Sequence, residues 1–99
     1  MVNSNYRKGY VFELDVIEDL KNKWNPLYIT RTPASHSPID IIMITSDEIM
    51  LFQCKNKTIS KKEKDDFSLF MESFEEKIIL PFSAYFVTKE NHKIKYIEV

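Results

Sequence analysis

A chain of 99 residues, 43% apolar and rich in Phe and Tyr, is long enough for one packed core and too hydrophobic to stay disordered, so a single domain over residues 1–99 is expected. Its 14 basic and 15 acidic side chains leave a net charge of −1, which confines any nucleic-acid contact to local clusters. One cysteine, Cys54, excludes an internal disulfide and a cysteine zinc site, and one glycine excludes a Gly-rich phosphate loop.

Residues 6–24 read as a helix, with Ser4 or Asn5 as its N-cap and Asn25-Pro26 as its stop. The β-rich stretch LYITR, residues 27–31, runs into Thr32-Pro33 and the polar loop PASHSP. Strands at about 39–45 and 48–55 turn at Ser46-Asp47. Ser60 and Glu63 make an S-x-x-E capping box that opens a helix to about Lys77, with Phe67, Phe70 or Met71, Phe74 and Ile78 as its apolar face. SAYFVT and IKYIEV are two further strands divided by the turn KENHK. Three meandering strands, a helical crossover and a parallel return predict the α/β class, with a mixed central sheet flanked by helices. No apolar run approaches the ~20 residues of a membrane span. The stretch MVNSNYRKGY lacks the apolar core of a signal peptide, and with the lone cysteine this points to a cytoplasmic protein.

Polar groups inside the strand runs mark the candidate site. In a hairpin centred on Ser46-Asp47, Thr45 faces Glu48 and Asp40 faces Gln53. Gln53 and Lys55 share a face by alternation, and Asp40 joins them there. On the first helix, Tyr10, Val16, Ile17, Leu20 and Trp24 lie within roughly 60° of Glu13, which places that carboxylate in the apolar stripe. A carboxylate there needs a partner, either Lys55, Arg31 or a cation. Glu13, Asp40 and the Gln53 amide oxygen are hard oxygen donors suited to Mg²⁺ or Mn²⁺ rather than zinc. A metal-bound water near Lys55 is then placed to attack a phosphodiester.

KGYVFE (Gly9, Glu13), RTPAS (Arg31 to Ser35), PID (Asp40), FQCK (Gln53, Lys55) and AYFVTK together resemble the PD-(D/E)XK nuclease superfamily, and within it the archaeal-type Holliday junction resolvases. The resemblance spans nearly the whole chain and implies a restriction-endonuclease-like α-β-β-β-α-β core. It implies a divalent-metal-dependent endonuclease, a homodimer acting on four-way DNA junctions. Glu13, Asp40 and Gln53 would hold the metal, Lys55 would assist hydrolysis, and Arg31 and Ser35 would lie at the site. Position 53 carries Gln where most members have Glu, which removes one negative charge from the metal site. A Q-x-K variant also occurs in modified-DNA restriction endonucleases. Ile39 separates Pro38 from Asp40, and PASHSP lacks the glycines usual after that serine.

The lysine run KNKTISKKEK, residues 55–64, carries five lysines against one glutamate. Lys57, Lys61 and Lys62 in it, with Arg7, Lys8 and Lys89, are expected DNA-backbone contacts; Lys93 and Lys95 add charge beyond the fourth strand. Each residue also has a plainer explanation. Glu13 could sit in an ion pair, Asp40 could cap the turn after Pro38, and Gln53 and Lys55 could be an exposed strand end. His36 reads as a surface residue, and Trp24 with the Phe stripe as core or dimer interface.

Overall fold

The computed structural model describes residues 4–32, 38–55, 58–75 and 82–99, with the side chains of residues 4–8, 74 and 75 outside that description. In chain order the elements are α1 (Ser4–Trp24), β1 (Tyr28–Arg31), β2 (Ile41–Ile44), β3 (Ile49–Cys54), α2 (Lys61–Glu75), β4 (Phe82–Glu90) and β5 (Lys93–Glu98). The strands form one sheet in the order β1-β2-β3-β4-β5. β3 and β4 run parallel and the other three pairs antiparallel, so the protein is α/β with a five-stranded mixed sheet flanked by two helices.

Local chemistry sets the element ends. Asn25, in the left-handed region at φ 46°, closes α1, and its N–H donates to the Lys21 carbonyl at 3.2 Å. The β2–β3 turn is held by the Thr45 N–H donating to the Glu48 carbonyl at 3.0 Å, which fixes Ile44 opposite Ile49 and Ile41 opposite Phe52. This is the register expected from the Ser46-Asp47 turn. Asn91 (φ 50°) and His92 (φ 66°) are both left-handed, as a two-residue hairpin between Glu90 and Lys93 requires.

The capping box forms in full. The Glu63 N–H donates to Ser60 Oγ at 3.1 Å, while the Ser60 N–H and hydroxyl reach Glu63 Oε1 at 3.4 and 3.1 Å. Ser60→Ala should therefore lower stability by about 1 kcal/mol, read as a shift in the denaturant midpoint with unchanged slope. A midpoint equal to wild type would mean that α2 does not depend on its cap.

Alternation sends the two sheet faces into two clusters. Phe12, Val16 and Leu20 of α1 cover Ile41, Met43, Met50, Phe52 and Val87. Phe67 and Met71 of α2 cover Ile39, Leu51, Ala84 and Phe86 on the other side. The expected α1 stripe is thus displaced. Its buried line is Phe12-Val16-Leu20, whereas Tyr10 and Trp24 stand 41% and 50% exposed, and Glu13 lies at the stripe's edge. The Phe74 side chain, Lys77 and Ile78 lie outside the described residues. Among the described residues no helix is long and apolar enough to cross a membrane.

Candidate functional site

Asp40 immediately precedes β2, at the sheet end where β1 and β3 finish. Its N–H donates to the Phe52 carbonyl at 2.8 Å, and its carbonyl accepts the Thr32 N–H at 2.9 Å. Strict alternation would put Ile39 and Ile41 on one face, yet Ile39 packs on the α2 side and Ile41 on the α1 side. The chain changes face at Asp40. Its carboxylate turns to the β3 backbone, where Oδ2 accepts the Cys54 N–H at 2.7 Å. A side chain here satisfies a strand donor, so the acid is held rigidly.

On the α1 side, Glu13 Oε2 accepts the Arg31 Nε–H at 2.6 Å, with only 18% and 30% of the two side chains exposed. The choice of partner for Glu13 therefore falls on Arg31. The Arg31 guanidinium lies 4.3 Å from the Tyr10 ring centroid, which explains why Tyr10 sits beside the stripe rather than within it. On the α2 side, the Lys55 N–H donates to the Val87 carbonyl at 2.9 Å, and its Nζ lies 3.3 Å from Glu63 Oε2. The Ser60 backbone N–H is the first cause holding the Glu63 carboxyl below its ordinary range, and Lys55 adds to it.

Asp40 feels both groups. Burial pushes its carboxyl above the ordinary range, the Cys54 N–H opposes this, Glu13 raises it further, and Lys55 and Arg31 lower it. Asp40 thus feels one carboxylate, Glu13, and two cations, Arg31 and Lys55, and Glu63 joins this sheet end only through Lys55. Glu13 and Asp40 each keep one carboxylate oxygen without a hydrogen bond among the described residues. That donor chemistry fits a sparsely held Mg²⁺ or Mn²⁺, which keeps most of its waters.

Gln53 stands apart from the other donors. Phe52 and Cys54 belong to the α1 side, so Gln53 projects with Leu51 and Lys55 toward α2, and its side chain makes no hydrogen bond among the described residues. Among the described residues no three His, Cys, Asp or Glu side chains gather as a metal group. Lys61, Lys62 and Lys89 are exposed. The side chains of Arg7 and Lys8, together with Ser35, His36 and Lys57, lie outside the described residues.

Gly9, one helical turn before Glu13, has no atom of the described residues within 4 Å of where a Cβ would stand, so close packing among them does not demand a glycine there. Sequence reasoning took Glu63 only as a capping residue. Its spacing from Lys55, across a turn of unknown shape, gave no sign that it would hold that ammonium. No family model matches the chain, and no curated protein matches it.

Proposed function

We propose that the protein is a divalent-metal-dependent endodeoxyribonuclease with a restriction-endonuclease-like core, acting on four-way DNA junctions as a homodimer in the cytoplasm. The observation that carries this reading is Asp40, a desolvated carboxylate fixed on the Cys54 N–H and set electrostatically between Glu13 and Lys55. Glu13 and Asp40 are the residues that would hold Mg²⁺ or Mn²⁺, while Gln53 projects to the opposite, α2 face of the sheet. Bound there, the ion supplies a water of lowered pKa and stabilises charge developing on the phosphate. Arg31 orients Glu13 and limits the repulsion between the two carboxylates. Lys55, steadied by Glu63, offers its ammonium to a phosphate oxygen or the attacking water. Two copies would supply the paired nicks that resolution requires.

The runner-up is a nucleic-acid-binding module, favoured by Gln53 where a third acid would otherwise stand. A labelled four-way junction and a linear duplex of matching sequence, each with Mg²⁺, Mn²⁺ or EDTA, separate the readings. Metal-dependent paired nicks in the junction alone support resolution. Equal cutting of both substrates keeps the nuclease and discards the junction preference. Binding without cutting in either metal sinks the enzymatic reading and leaves the module.

A further inference from the structure

We infer that Glu63 is a positioning residue for Lys55, an acid whose two carboxylate oxygens do two separable jobs; the inference rests on the nuclease reading above. Both Ser60 donors fall on Oε1, the N–H at 3.4 Å and the hydroxyl at 3.1 Å, so one oxygen completes the capping box. Oε2 is closed to solvent and accepts no hydrogen bond among the described residues, and Lys55 Nζ stands 3.3 Å from it. A capping box needs no charge at this place, since glutamine serves in it equally. A desolvated carboxylate oxygen costs stability unless a cation meets it, so Oε2 is committed to the ammonium.

Both ends of Lys55 are fixed in this way. Its N–H is tied to the Val87 carbonyl at 2.9 Å, and among the described residues Glu63 is its one ion-pair partner. Lys55 follows Cys54, whose N–H holds Asp40 Oδ2 at 2.7 Å, so the ammonium and the acid are set from consecutive residues. Glu63 is itself firmly carried. Phe67, one turn further along the same face of α2, is 1% exposed and meets Phe86 edge-on at 5.0 Å between ring centroids. Phe86 faces Gln53 across the parallel ladder, so α2 is docked on the strand pair that ends at Lys55. Glu63 passes that fixed position on to the ammonium. A loose lysine samples many rotamers, whereas one held at both ends has lost that freedom before the substrate arrives.

The test compares wild type with Glu63→Gln, which keeps the cap and loses the charge, and with Ser60→Ala, which weakens the cap and keeps the charge. Lys55→Gln and the Lys55→Gln/Glu63→Gln double complete a cycle. Single-turnover cutting of the labelled junction with Mg²⁺ should slow on the order of 10-fold in Glu63→Gln and stay near wild type in Ser60→Ala. In the Lys55→Gln background, Glu63→Gln should cost nothing further. The second readout needs neither metal nor DNA. Lys55 is acetylated with trace acetic anhydride and scored by mass spectrometry against the exposed Lys61 and Lys62. Its labelling should be slower than theirs in wild type and several-fold faster in Glu63→Gln. Equal losses of cutting from Glu63→Gln with and without Lys55, or a Ser60→Ala protein as slow as Glu63→Gln, would overturn the proposal, because Glu63 would then act through the helix alone. So would unchanged labelling of Lys55. Faster labelling in a protein that cuts neither junction nor duplex sinks the nuclease reading and leaves the hold on Lys55 standing. Full-rate cutting by Glu63→Gln rejects the positioning role and leaves the nuclease.

Discussion

Asp40→Asn should reduce metal-dependent junction cutting on the order of 10³-fold, while the metal-free protein gains stability at neutral pH. Asparagine keeps an oxygen for the Cys54 N–H, so the backbone contact at the end of β3 survives and only the charge is lost. Removing that charge removes a cost. Burial raises the Asp40 carboxyl above its ordinary range, with Glu13 adding to the shift, so the folded protein binds this proton more tightly than the unfolded chain. The stability that tight binding confers is complete below the unfolded pKa and disappears as pH rises through the folded one. Wild type and variant should therefore converge in acid and separate toward neutrality, the variant being the more stable. Denaturant melts in EDTA across that range measure the separation. A variant less stable at pH 7 would show that Asp40 is charged for the sake of the fold. Wild-type cutting by the variant would remove Asp40 from the chemistry.

Phe52→Ala should cost about 3–5 kcal/mol, the largest stability loss expected from a single core truncation here. Phe52 is 1% exposed, stacks on Tyr85 at 5.4 Å between ring centroids and meets Tyr96 edge-on at 5.9 Å. Truncation empties the middle of the α1-side cluster, and its lining belongs to a sheet that cannot collapse around it. For a domain of this size the loss corresponds to a melting point lower by on the order of 20 °C. Leu69→Ala is the matching control. Leu69 is 63% exposed on α2, and its truncation should stay within about 0.5 kcal/mol. A loss under about 1 kcal/mol at Phe52 would mean that the cluster rearranges to fill the space.

Where short-range chemistry decides, the sequence was readable. The Ser46-Asp47 turn set the β2–β3 register, because a hairpin of fixed loop length admits one pairing that keeps both faces apolar. S-x-x-E set the start of α2, because both partners lie within one helical turn. Other features depended on distant contacts. The wheel around Glu13 showed an apolar side to α1 but not which line of it meets the sheet, and Tyr10 went to Arg31 instead. The change of face at Asp40 breaks the alternation that placed Asp40 with Gln53 and Lys55. Lys64 and Lys95 lie 31 positions apart, and only the folded sheet makes them neighbours.

The lone parallel pair among the described strands divides the chain at a seam. Residues 4–55 form one half, α1 with β1 to β3, and residues 58–99 form the other, α2 with β4 and β5. Glu13, Arg31, Asp40 and Lys55 come from the first half; Glu63, Lys64, Lys89 and Lys95 come from the second. The charged cluster at the end of β2 and β3 is thus drawn mainly from the first half, and the second half reaches it through Glu63. Substitutions in the two halves should combine additively except across the Lys55–Glu63 pair, where the halves touch. A protein built this way can vary the exposed face of its second half while the partners of Asp40 and Glu13 stay as they are.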